Sequence, residues 1–117
     1  MASWLCRLFA WMMASHVTPN ISAMTPGEHK VAVTARGDGD YDFVSRFFSP
    51  GVAVWEDPVT GSAHCTLIPY WSRRLGKISL FGRQLSARGG ELYCEDQGER
   101  VAIAGHAVLY LEGTIHI

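Results

Sequence analysis

The chain has 117 residues, of which 48% are hydrophobic and 18% charged, and ten Lys and Arg against eleven Asp and Glu give a formal net charge of −1. This balance excludes a disordered, solvating segment and leaves room for one domain with a modest core. The absence of a basic block sets nucleic acid aside as a partner, and the isolated Cys6, Cys65 and Cys94 fit reduced thiols in the cytoplasm and not a disulfide framework.

Residues 1–16, MASWLCRLFAWMMASH, carry an apolar run interrupted by Arg7, far short of the ~20 residues that a membrane-spanning helix needs. Leu5, Leu8, Phe9 and Met12 fall on one helical face, which predicts a short helix seeking an apolar surface. A secretory signal with a poor cleavage site, or a stretch without settled structure, are the alternatives. From Val17 the main domain is expected to run to Ile117. Pro19 suits the first turn of a short helix through Ile21 and Met24, ended by Pro26-Gly27. KVAVTAR (30–36) reads as a strand with Val31, Val33 and Ala35 on one face. A Gly37-Asp38-Gly39-Asp40 turn leads to YDFVSRFF, apolar on both faces, so that one face packs on a helix and the other meets a partner surface. Val52 to Trp55 then forms a short strand that delivers the turn Glu56-Asp57-Pro58.

Ala63, Leu67, Tyr70, Trp71 and Leu75 recur at helical spacing, and Ile68 extends the apolar surface to a second side. The spacing predicts a buried helix over 61–75, capped by Thr60 or Ser62, with a kink or a locally opened turn between Cys65 and Pro69, and stopped at Gly76. Cys65 on this helix and Cys94 downstream read as small buried hydrophobes. Short strands follow around Ile78–Phe81, Gln84–Arg88, Glu91–Glu95, Val101–Ile103, Ala107–Leu111 and Ile115–Ile117. About seven strands and one helix that is apolar on most sides imply an α+β domain whose sheet curls around the helix. The helix falls in the middle of the strand series, which argues against a βαβ unit with parallel pairing.

Chemistry concentrates at the acidic turn. Asp57 precedes a helix start whose free amides at Gly61, Ser62 and Ala63 form a natural seat for a carboxylate or phosphate. A carboxylate beside such a seat can act as acid or base, whereas the plain structural alternative is an ordinary helix cap. Ser62 either bonds a substrate oxygen or caps the helix. His64 either touches a ligand at the cavity mouth or donates one ring nitrogen to a backbone carbonyl while accepting at the other. The remaining histidines show no metal-ligand spacing, no GxSxG or phosphate-loop motif is present, and Gly89-Gly90 reads as a hairpin turn.

YDFVSRFFSPGVAVWEDPVTGSAHCTLIPYWSRRLGK, then SARGGEL, then RVAIAGHAVLYLEG, resembles the C-terminal part of the PhzF family of phenazine biosynthesis-like proteins. The resemblance covers roughly Val17 to Ile117 and leaves residues 1–16 apart. It implies one lobe of the two-lobed diaminopimelate epimerase-like fold: a strongly curved, mostly antiparallel sheet wrapped around one central helix. It further implies an isomerase that moves a proton within a small carboxylic acid, with neither metal nor organic cofactor. On this likeness Asp57 and Ser62 match the catalytic positions of the second lobe, and Gly61, Ser62, Ala63 and His64 line the substrate. The glutamate and histidine that the family draws from its first lobe have no counterpart in this sequence. The expected partners are therefore the missing first lobe or a second copy, with no membrane, and the expected activity of the chain alone is nil. A non-catalytic binding module for a small acid or a protein is the rival reading, and an unstable fragment without function is a third.

Overall fold

The structure is a computed structural model that describes residues 3–8, 11–20, 23–24, 29–51 and 53–117. Six strands form one sheet in the order β1 to β6: β1 (Ser3–Leu8), β2 (His29–Arg36), β3 (Phe43–Phe48), β4 (Ser79–Gln84), β5 (Gly90–Asp96) and β6 (Val101–Ala104). Two helices interrupt the series, α1 (Trp11–His16) between β1 and β2, and α2 (Gly61–Leu75) between β3 and β4. No helix among the described residues is long and apolar enough to cross a membrane.

The expected strongly curved, mostly antiparallel sheet wrapped around a helix is not what the chain forms. The sheet is open and mixed, and does not curl strongly. β1 pairs parallel with β2 and β3 parallel with β4, while the other three pairings are antiparallel. Each parallel pairing needs a crossover, and α1 and α2 are those crossovers. β2 and β3 run in opposite directions, so one common handedness sends the two helices to opposite faces of the sheet. The burial pattern agrees. Thr34 and Phe43 meet α2 through Trp71, whereas Val33, Ala35, Val44 and Phe48 cluster with Ala14 of α1. Alternation along β2 and β3 thus serves two cores, which is why YDFVSRFF is apolar on both faces.

α2 explains the missing wrap. Its buried residues are Ala63, His64, Leu67, Ile68, Trp71 and Ser72, a single stripe at helical spacing. Cys65, Thr66, Arg73 and Arg74 are exposed, so the helix needs one sheet face and not an enclosing barrel. Cys65 lies one position outside the stripe and is exposed, against expectation; Cys94 is buried, and burial pushes its thiol up to about 11. The helix runs unbroken through Pro69 and stops at Gly76, whose φ of 67° is the left-handed geometry that glycine adopts without strain. The core on this side joins Leu67, Ile68 and Trp71 to Phe43, Leu80, Leu92 and Cys94.

The ends of the chain differ most from expectation. Leu5 and Leu8 belong to a strand, not to the predicted helix, because pairing with β2 over six registered positions outweighs a local apolar periodicity. Beyond Ala104 no strand forms: Val108, Leu109, Tyr110, Leu111, Ile115 and Ile117 are each at least 80% exposed. The alternation there is that of a strand, but a strand exists only with a neighbour to bond. Residues 53–55 are irregular, with one antiparallel bridge from Glu56 to Phe48 in place of the expected strand. Phe9, Ile21, Pro26, Gly27 and Val52 lie outside the described residues.

Candidate active site

The acidic turn is built between β3 and β4 before it reaches α2. The Asp57 amide donates to the Phe47 carbonyl at 3.0 Å, which ties the turn to the end of β3. Glu56 is consumed by Arg46, with Nε to Oε1 at 2.8 Å and Nη2 to Oε2 at 2.9 Å, both side chains largely buried. Arg46 Nη1 also donates to the Val17 carbonyl at 2.6 Å, so one guanidinium joins the turn to the exit of α1. Of the two adjacent carboxylates, Glu56 is thus structural. Asp57 is held by a neutral hydroxyl instead, Thr60 Oγ1 donating to Oδ2 at 2.5 Å.

From the end of β4 and the bend that follows it, Gln84 and Ser86 grip the same loop. Gln84 Nε2 donates to the Asp57 carbonyl at 2.7 Å and to Thr60 Oγ1 at 3.1 Å, while its Oε1 accepts from the Thr60 amide at 2.8 Å. Ser86 Oγ donates to the Pro58 carbonyl at 2.8 Å. Thr60 is the N-cap of α2, in extended geometry at φ −113° and ψ 93°, and its side chain makes no capping bond. Gly61 and Ser62 are exposed at the helix start, and Ala63 is buried behind them. A Cβ at Gly61 would meet nothing within 4 Å, so this glycine leaves open space and is not forced by close packing. Gly90 is different: a Cβ there would fall 2.0 Å from Val59 Cγ2, so its lack of a side chain lets the acidic loop lie on β5.

Asp57 is half-buried and bonded to the N-cap Thr60, and Gly61 and Ser62 follow it exposed at the helix start. His64 does not join them at the surface. It is fully buried, and Nδ1–H donates to the Thr60 carbonyl at 2.7 Å, which leaves Nε2 to accept from Ser45 Oγ at 3.5 Å. This is the second of its two expected arrangements. Burial holds its pKa below the ordinary 6.5, opposed in part by the Thr60 hydrogen bond. A histidine kept neutral in the fold must charge on unfolding in acid, so its contribution is complete above about 6.5 and declines as pH falls toward the folded value. Between pH 6.5 and 5, the unfolding free energy of the native chain, from urea titration, should fall more steeply than that of His64→Gln, by up to about 1.4 kcal/mol per pH unit. Parallel pH profiles would contradict this assignment.

Sequence reasoning missed the clamp from Gln84 and Ser86 and the placement of Arg88 and His106 beside the start of α2. Arg88 and His106, with Gly61, Val59 and Gly89-Gly90, line an open hollow of ≈ 590 Å³ beside the start of α2. The signal lay in SARGGEL and AGH, segments read as strand ends and turns; the sheet brings both to the side of TGSAH. The hollow is open and of mixed polarity, lined by one guanidinium, a helix start and Glu91, whose Oε1 accepts from the Tyr41 hydroxyl at 2.8 Å.

An open, mixed αβ sheet with a carboxylate beside the start of the longer helix on one of its faces is the class that fold and site define. The family profile for phenazine biosynthesis-like proteins, PhzC-PhzF, matches residues 5–113. An uncharacterised isomerase of Pseudomonas aeruginosa is 66% identical over 87 residues, which are 74% of this chain and 33% of that protein. The human phenazine biosynthesis-like domain-containing protein is 53% identical over 76 residues, 64% of this chain and 26% of that one. A crystal structure of a PhzC/PhzF phenazine biosynthesis protein from Clostridium difficile superposes with a TM-score of 0.82 at 42% identity, over 97% of this chain and 45% of that chain. The chain belongs to the PhzC-PhzF family. It spans about a third of the length of the Pseudomonas relative and less than half of the solved structure.

Proposed function

We propose that the chain is the C-terminal lobe of a PhzF-type isomerase and supplies one wall of the cleft in which a proton moves within a small carboxylic acid. In this reading the amides of Gly61, Ser62 and Ala63 seat the substrate carboxylate, Ser62 Oγ bonds a substrate oxygen, and Asp57 takes part in proton transfer. His64 serves the same site from behind, by fixing the Thr60 carbonyl. No metal or organic cofactor enters this scheme. The observation that carries the reading is that Thr60 belongs to both parts at once: it is the N-cap of α2 and the donor to Asp57 Oδ2.

Moving a proton from one carbon to another also needs an acid/base on the far side of the substrate, within about 3 Å of it. The other lobe of the relatives is the natural source of that group, so this chain alone is inactive. The exposed apolar segment from Val108 to Ile117 is the surface through which it meets that lobe or, in its absence, a second copy. The test uses deuterium uptake from D2O by a panel of small carboxylic acids. The isolated chain should catalyse none. A chimera in which this chain replaces the matching stretch of the Pseudomonas isomerase should exchange as the parent does, and Asp57→Asn should lower that rate by about 10²–10⁴-fold, the usual worth of a positioned acid/base. Exchange by the isolated chain, or an unimpaired Asp57→Asn chimera, would overturn the reading.

A further inference from the structure

A threonine at a helix N-cap ordinarily turns its hydroxyl onto the second or third amide of the helix. Thr60 does not, because its hydroxyl is engaged elsewhere, accepting from Gln84 Nε2 and donating to Asp57 Oδ2. Gln84 is fully buried, and its whole carboxamide is directed at this loop, reaching the Asp57 carbonyl, the Thr60 amide and the Thr60 hydroxyl. By donating to Thr60 Oγ1, the amide obliges the hydroxyl proton to point away, and Asp57 Oδ2 is there to receive it. We infer that Gln84 is a positioning residue that holds the Thr60 hydroxyl on Asp57 and off the first amides of α2, so that the helix start stays open to an anion.

The inference deepens the carboxylate-seat reading and rests on it for its purpose, but the geometry that it asserts exists without ligand. Two ties independent of the Gln84 side chain also hold the loop: the Asp57 amide on Phe47 and the Ser86 hydroxyl on Pro58. Loss of the carboxamide should therefore release the Thr60 side chain before it releases the loop.

The experiment compares the native full-length chain with Gln84→Met, without ligand, by amide exchange and by the couplings that report the Thr60 χ1 angle. In Gln84→Met, Thr60 should rotate onto its own helix, and exchange at Ser62 and Ala63 should slow about fivefold, as a capping bond of ordinary strength requires. Exchange from Leu67 to Trp71 should stay unchanged. Acetate, followed by the same amides, should bind more weakly to Gln84→Met, and adding Thr60→Val should free the amides and recover the binding. Gln84→Leu, which likewise has neither the donors nor an acceptor for the Thr60 hydroxyl, gives the same readout should the Met variant not fold. An unchanged Thr60 χ1 with unchanged exchange at Ser62 and Ala63 would overturn the inference. Rotation of Thr60 in a protein that binds no acetate even when native would uphold Gln84 and sink the carboxylate seat.

Discussion

Replacing Trp71 by alanine should remove most of the stability of this chain. Trp71 is 1% exposed, stacks on Phe43 with ring centroids 6.0 Å apart, and meets Tyr70 edge-on at 5.2 Å. Its indole N–H donates to Thr34 Oγ1 at 2.9 Å, and Thr34 in turn donates to the Val44 carbonyl at 2.7 Å. One side chain thus joins α2 to β2 and, through Thr34, to β3. Truncation leaves a large cavity and deletes the bond to Thr34, at a cost of about 3–5 kcal/mol for such a site. A domain of this size has only about 5–15 kcal/mol to lose. Urea unfolding should show the midpoint collapse toward zero denaturant, with Trp71→Phe in between. A loss below about 1 kcal/mol would mean that α2 is not packed on the sheet as described.

Concentration-dependent self-association is the second large effect expected. Val108, Leu109, Tyr110, Leu111, Ile115 and Ile117 are 80% exposed or more, and the segment has strand alternation without a strand neighbour. Covering a large apolar side chain fully is worth about 1.5–3 kcal/mol, so burying even a few offsets the entropy of association. β-pairing of the segment would satisfy its backbone as well. Sedimentation over a range of concentrations should show oligomers, and Leu109→Lys with Leu111→Lys should give a monomer of unchanged fold. A native chain that stays monomeric at high micromolar concentration would contradict the expectation. Under the proposed scheme oligomers stay inactive, because a second copy brings another Asp57 and not an acid/base for the far side of the substrate.

How much was legible depended on the range of the interaction concerned. The helix over 61–75 and its stop at Gly76 follow from periodicity and one glycine, both local. The common face of Val31, Val33 and Ala35 follows from alternation, and the structure puts all three beside one core. The sheet topology did not follow. Parallel pairing of β3 with β4 is decided by how α2 packs, and the apolar count that suggested an enclosed helix hid the fact that Cys65 and Thr66 face outward. The opening strand was illegible for the same reason: SWLCRL becomes a strand only against β2. At the candidate site, Asp57, Gly61 and Ser62 were placed together by their adjacency, which needs no tertiary information. Gln84 and Ser86 reach the loop from 24 to 28 residues away, a distance across which spacing in one sequence carries no signal. The two readings of His64 were separated only by its burial.

The central claim is that the start of α2, with Asp57 at its side, is the carboxylate seat of half an active site. Titration of the isotopically labelled 117-residue chain with acetate tests it most directly. The account predicts saturable amide shifts at Gly61, Ser62 and Ala63, spreading to Asp57 and to Gly89-Gly90 across the hollow, with weak affinity and no chemical change in the ligand. Shifts scattered over the surface, or none between residues 57 and 64, would contradict it.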